Sequence, residues 1–173
     1  VGFIFISNKI KISPFSTGGA QERNMRGGTE NVYGIIGLAK AMELAYANLD
    51  EDIEYIRGIK NYMRDQLIET IPGIEFNGDV SDDSLYTVLN VSFPPADFAE
   101  MILFNLDIRG IAASGGSACS SGSNVGSHVL TAIGADPNRP AVRFSFSRMN
   151  TKEEVDYAIG VLKDLYKHLL VEA

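Results

Sequence analysis

Apolar side chains return at three- and four-residue steps through the first half of this 173-residue chain. From Thr29 a stripe runs through Val32, Ile35, Ile36, Ala39, Met42, Tyr46 and Leu49, which predicts an amphipathic helix opening at Thr29. Asp50 is placed to cap a second helix, striped by Ile53, Ile56, Met63, Leu67 and Ile71 and stopped by Pro72-Gly73. The period then changes to two. Residues 74–77 and 86–93 read as strands, with Leu89, Val91 and Phe93 alternating with Asn90 and Ser92 until Pro94-Pro95 breaks the run. Asp97 and Glu100 have capping-box spacing for a helix to about Leu106, and residues 108–113 read as another strand. Ser127 is placed to cap a short helix ended by Gly134. Residues 141–147 alternate Val142, Phe144 and Phe146 against Arg143, Ser145 and Ser147. Thr151 and Glu154 open a last helix whose stripe is Val155, Ile159, Leu162, Tyr166 and Leu169. The dense β-formers of residues 1–6 predict one more strand, buried on both faces.

This pattern is that of a mixed α/β protein with two long helices leading into a small sheet-and-helix lobe. Composition narrows its role. Fifteen basic against 22 acidic side chains leave a net charge of −7, which argues against a nucleic-acid partner, because phosphate binding draws on surplus Lys and Arg. No apolar run approaches the ~20 residues that span a bilayer. Residues 1–6 are too short, and lack the basic lead, for a secretory signal. With a single cysteine there is no intrachain disulfide and no Cys₄ metal site, and a lone thiol fits a reducing compartment such as the cytoplasm.

Three places carry candidate chemistry. Cys119 lies among Ser, Gly and Ala, which have little bulk to bury a thiol, although a free cysteine is often just a small core hydrophobe. Neither His128 nor His168 is marked by the sequence as its base. Gly27-Gly28-Thr29 leads into a helix behind Arg23 and Arg26; it suits a phosphate, or Thr29 is simply the N-cap. Arg143 sits on the polar side of an alternating strand, where an arginine can grip a carboxylate through its two-pronged fork or lie in solvent. The acidic group Asp79, Asp82 and Asp83 reads as a solvated turn and not as a metal site.

Several segments occur together and in order: residues 18–31 (GGAQERNMRGGTEN), Asn90 to Phe93, residues 113–121 around Cys119, Ser127 to Leu130, and Val142 to Ser145. The set resembles the C-terminal part of the NifS-like cysteine desulfurases, pyridoxal-phosphate enzymes of the class V aminotransferase group. The resemblance implies the aspartate aminotransferase-like fold, with the small domain and its long connecting helices present and the large-domain core absent. Its parts would be residues 1–28 from the large domain, 29–72 as connecting helices and 73–173 as the small domain with the cysteine loop.

By the same resemblance Cys119 is the nucleophile that takes sulfur from L-cysteine, leaving alanine and an enzyme persulfide. Arg143 grips the substrate carboxylate. Thr29 reaches the cofactor phosphate of a neighbouring subunit in a homodimer. The sulfur then passes to an acceptor or iron–sulfur scaffold protein. None of the seven lysines follows a histidine, whereas the family's cofactor-bearing lysine does. The expectation is therefore a C-terminal piece of a desulfurase, inactive by itself and without covalently bound pyridoxal phosphate. Two alternatives stand beside it: a stand-alone sulfur carrier or interaction module, and another class V enzyme such as a selenocysteine lyase.

Overall fold

The computed structural model describes residues 1–115 and 127–167. Cys119, His168 and Leu169 therefore lie outside the described residues. The chain divides into two compact units, Val1–Leu49 and Asp50–Ala173.

In the first unit the helical stripe forms α1 (Val32–Ala47). Its cap is Asn31, whose side chain accepts from the Gly34 N–H at 3.0 Å, so the helix starts after Thr29 instead of at it. An asparagine side chain reaches the third amide of the first turn better than a β-branched threonine two residues earlier can. The strand expected over residues 1–6 does not form. Phe3 and Phe5 are 74% and 85% exposed, and no strand of the described residues pairs with the segment, so its amides have no ladder to join. No residue of this unit is buried, α1 included.

The second unit carries the core. Helix α2 (Leu49–Thr70) begins one residue past the end of α1, so Asp50 sits inside its first turn and not at a cap. Gly73, at φ +74°, adopts the left-handed conformation that lets the chain turn away beyond the helix. The turn leads into a three-stranded antiparallel sheet, ordered β1 (Glu75–Phe76), β2 (Val88–Ser92), β3 (Ala141–Ser145). Leu89 pairs with Phe144 and Val91 with Val142, placing the apolar members of both strands on one face. Those four side chains share a single buried cluster with Ile56, Ile59, Met63 and Leu67 of α2. The cluster also takes in Val155, Ile159 and Leu162 of α5 (Lys152–Leu165). Thr151 and Glu154 form the expected reciprocal capping box at the start of α5.

Two expectations between β2 and β3 are corrected. The helix anticipated from Asp97 begins later, as α3 (Ile102–Asp107), preceded by a 3₁₀ turn at Ala99–Met101. Residues 108–113 are not a strand. Gly110 takes φ +76° while its N–H donates to the Asp107 carbonyl and that of Ile111 to Leu106, the two bonds of a Schellman helix stop. The β-formers Ile108 and Ile111 are thus spent on ending α3. Only Ser114 bridges to the sheet, at Arg143. Ser127 caps α4 (His128–Ala132) by accepting from the Leu130 N–H, and Gly134 at φ +73° follows the helix. Among the described residues no helix is long and apolar enough to cross a membrane.

Candidate functional site

Alternation sends Val142 and Phe144 into the core and leaves the other face of the sheet to Asn90, Ser92, Arg143 and Ser145. Arg143 is half-buried there. Its backbone is held on the side away from β2, where its N–H donates to the Ser114 carbonyl at 2.6 Å and its carbonyl accepts from Ser114 at 3.1 Å. Among the described residues its guanidinium has no carboxylate and no hydrogen-bond partner.

Arg139, four positions earlier, is the opposite case. Its guanidinium donates to Ser92 Oγ and to the Ser92 carbonyl, each at 3.0 Å, and to the Gly73 carbonyl, and it lies 3.4 Å from Glu75. All three of its nitrogens go into joining the turn after α2 to the end of β2. One arginine of this strand region is structural; the other, without a partner among the described residues, can take an external anion.

Beside Arg143, Asn90 is its direct partner across β2 and β3. The Asn77 Nδ2 donates to Asn90 Oδ1 at 2.9 Å, and the Asn77 backbone N–H donates to the Asn90 carbonyl at 2.9 Å. Sequence reasoning did not single out Asn77 or Asn90 as functional. The signal was present in the 86–93 alternation, which puts Asn90 on the same side as the polar members of the 141–147 strand.

Thr29 belongs to the first unit, where it is exposed and its hydroxyl makes no hydrogen bond among the described residues. The segment before it is tightly organised. Glu22, Arg23 and Asn24 all take left-handed backbone conformations, at φ 48°, 57° and 67°, a run rare outside functional loops. Gln21 Oε1 accepts from the Gly28 N–H at 3.1 Å and closes the loop. Gly27 and Gly18 touch so closely that a Cβ on Gly27 would lie 2.7 Å from the Gly18 Cα, so the glycines are required here by contact. The loop presents Thr29 with a free hydroxyl donor, which suits one oxygen of a phosphate group. The site residues thus fall in separate places: Thr29 in the first unit, Arg143 in the second, and Cys119 outside the described residues.

The acidic turn is a solvated loop tied to α2. Asp79 accepts from the Ser81 N–H at 2.8 Å and from its hydroxyl at 3.0 Å, and these bonds hold its carboxyl below the usual carboxylate range. Lys60, 2% exposed, donates to Ser84 Oγ at 2.6 Å and to the Leu85 carbonyl at 3.1 Å. Burial pulls its ammonium below the usual lysine range and Arg64 adds to that, against the opposing pull of Asp79 and Asp82. No cluster of His, Cys, Asp and Glu able to hold a metal occurs among the described residues.

Residues 2–158 match the family model for class-V aminotransferases. The chain belongs to that family. It is 43% identical over 171 residues to a putative cysteine desulfurase of Bacillus subtilis, covering 97% of this chain and 45% of the relative. A cysteine desulfurase of Methanosarcina thermophila is 40% identical over 170 residues, with 97% and 41% covered. Among solved structures, a NifS-like protein superposes with a TM-score of 0.79 at 31% identity, over 95% of this chain and 41% of that one. A further structure at 29% identity, TM-score 0.53, is described as SspA in complex with cysteine and is covered over 37% of its length, against 81% of this chain. The fold is therefore that of the NifS-like proteins, and this class-V chain spans less than half the length of the curated desulfurases it matches.

Proposed function

We propose that this chain is the C-terminal part of a pyridoxal-phosphate-dependent cysteine desulfurase and supplies three of its working parts. The observation that carries the reading is the half-buried guanidinium of Arg143 on the polar face of the sheet, unpaired among the described residues, in a class-V chain whose relatives are cysteine desulfurases. A guanidinium with no carboxylate partner among the described residues is open to an added anion, and the carboxylate of L-cysteine has the planar geometry its fork fits.

In this reading Arg143 orients the substrate. Cys119 accepts its sulfur: a bond forms between the Cys119 sulfur and the substrate sulfur, the substrate carbon–sulfur bond breaks, and that carbon takes up a proton to give alanine. Thiol plus cysteine becomes persulfide plus alanine, so no outside oxidant is needed. A persulfide that must then meet a separate sulfur-acceptor protein benefits from a small-residue tether, which the Ser/Gly/Ala sequence around Cys119 provides. Thr29 donates its hydroxyl to the cofactor phosphate bound in a second subunit, which makes the homodimer part of the site. Pyridoxal phosphate, when bound, supplies the electron sink.

The exposed first unit supports the reading. Phe3, Ile4, Phe5 and Phe15 are all more than 70% exposed, a surface that a missing domain or subunit would cover. The seven lysines do not follow a histidine, so the covalent anchor for the cofactor falls to the part of the protein absent from this chain. We assign the protein to the cytoplasm, where an unpaired thiol stays reduced.

The test is direct. Incubation with one equivalent of pyridoxal phosphate, borohydride reduction and peptide mapping is expected to find no lysine of this chain stoichiometrically modified, beyond the scattered trace label that exposed amines take. The complete protein is expected to release alanine from cysteine and to carry a persulfide on Cys119, both lost in Cys119→Ser. A stoichiometric pyridoxyl-lysine on this chain, or alanine release that survives Cys119→Ser, would overturn the proposal. Should the chain alone accept sulfur from a complete desulfurase and function without a cofactor-bearing part, it is a sulfur-carrier module instead. Faster alanine release from selenocysteine than from cysteine would make it a lyase of that substrate.

A further inference from the structure

The hydrogen-bond pattern of β3 fixes more than its register. Both backbone groups of Arg143 bond to Ser114, on the side away from β2, and the backbone carbonyl of Asn90 accepts from Asn77 on the side away from β3. Asn90 and Arg143 are therefore a non-hydrogen-bonded pair, the class in which antiparallel Cα atoms approach to about 4.5 Å and side chains stand closest. Both side chains stand on the polar face and both are half-buried.

Their chemistry is one-sided. The Oδ1 of the Asn90 amide accepts from Asn77 Nδ2 at 2.9 Å, which turns that oxygen toward Asn77. The other side of the amide is its NH₂, two donors; the arginine beside it has only donors. Two donor groups cannot satisfy each other, and no hydrogen bond joins them among the described residues. The patch lacks an acceptor with several lone pairs and a negative charge, which a carboxylate provides.

We propose that Asn90 is a second donor to the carboxylate that Arg143 holds, and that Asn77 is the positioning residue that aims the Asn90 NH₂ at it. The identity of the carboxylate, that of an amino-acid substrate, rests on the desulfurase reading; the donor geometry does not. Asn77 acts by polarity. An acceptor in its place would turn the Asn90 amide over, so that Oδ1 faces Arg143 and satisfies it from within. Asn77→Asp makes that change without touching either binding residue, and it keeps the backbone bond from residue 77 to Asn90.

The 173-residue chain is the sample, labelled with ¹⁵N and followed by NMR through the side-chain N–H signals of Asn77, Asn90 and Arg143. L-Alanine is added, and L-alaninamide, which lacks the carboxylate, serves as control. The Asn90 Nδ2 and Arg143 Nε signals are expected to move together, saturating at one midpoint with L-alanine and staying still with the amide. In Asn77→Asp the Asn90 response is expected to vanish and the midpoint to weaken roughly ten-fold, the scale of one hydrogen bond to a charged group. Backbone amide positions away from residue 77 should be unchanged, which a general structural defect would not allow. In the complete enzyme the same variant is expected to raise KM for cysteine about ten-fold with little change in kcat. A response of Arg143 without Asn90, no response from either, or an Asn77→Asp titration like that of the unsubstituted chain would each overturn the inference. Carboxylate binding by both residues in a protein that makes no alanine from cysteine would overturn the desulfurase reading and leave this one standing.

Discussion

The hydroxyl of Tyr166 donates to the carbonyl of Pro94 at 3.3 Å, tying the residue just past α5 to the proline pair that ends β2. Its ring stacks on Phe93 with centroids 5.6 Å apart and meets Phe98 edge-on at 4.9 Å. β2 ends at Ser92, so the carbonyl of Pro94 lies beyond the ladder and is satisfied by the side chain that follows the last helix. Tyr166→Phe is expected to cost about 1 kcal/mol, the worth of one neutral hydrogen bond. Tyr166→Ala removes the rings' contact as well and is expected to cost about 3–5 kcal/mol. Urea unfolding of the chain followed by circular dichroism measures both; equal losses in the two variants would mean that the hydroxyl, not the ring, makes the contribution.

Lys60 gives the chain an alkaline signature. Its pKa in the fold is lowered by burial, so between that value and the unfolded value of about 10.4 the unfolded chain binds more protons than the native one. Stability therefore rises with pH through that window and levels off above it. Lys60→Met removes this slope. It also leaves the Leu85 carbonyl without its donor, at an expected cost of about 1–2 kcal/mol near neutrality. The gap between the two proteins should widen from neutral pH toward pH ~10. Unfolding free energies measured across that range decide it, and parallel curves would show that Lys60 keeps an ordinary pKa.

At the start of α5, Thr151 Oγ1 accepts from the Glu154 N–H at 3.3 Å while Glu154 Oε2 accepts from the Thr151 N–H at 3.1 Å. Thr151→Ala is expected to lose about 1 kcal/mol, and Thr151→Ser almost nothing, because only the hydroxyl is used. Thermal unfolding of the two variants side by side reads the difference. A serine variant as weak as the alanine one would place the effect in the threonine methyl.

That capping box was legible in the sequence because both partners lie within four residues of each other. The same holds for the stripes of α2 and α5 and for the alternation in β2 and β3, since local period decides which side chains share a face. What failed was whatever depended on neighbours. Residues 1–6 have the composition of a buried strand, yet no strand of the described residues pairs with them. Ile108 and Ile111 look like strand residues until Gly110 turns the chain and both are used to end α3. Of the site, Arg143 was visible as an arginine on a polar strand face. Its lack of a partner among the described residues was not, and neither was the Asn77–Asn90 bond, because pairing across 13 positions belongs to the sheet and not to the local pattern.

Arg139 and Arg143 should separate stability from function. Arg139 has a side chain only 12% exposed and serves acceptors on Ser92, Gly73 and Glu75, so Arg139→Ala strands the hydroxyl and carbonyl of buried Ser92 and is expected to cost about 2–4 kcal/mol. Arg139→Lys should recover little, since a single ammonium cannot reach three acceptors in a plane. Arg143→Ala leaves no group of the described residues unpaired and is expected to change stability by less than about 1 kcal/mol. In the complete protein, under the proposed desulfurase function, the order reverses. Arg143→Ala is expected to raise KM for cysteine roughly 100-fold, as loss of a charged clamp does, while Arg139→Ala changes KM little in whatever fraction stays folded. Unfolding free energies and cysteine kinetics on the same four proteins give the comparison. An Arg143→Ala variant that is as destabilised as Arg139→Ala would mean that its guanidinium is already paired inside the protein, and the carboxylate site would have to lie elsewhere.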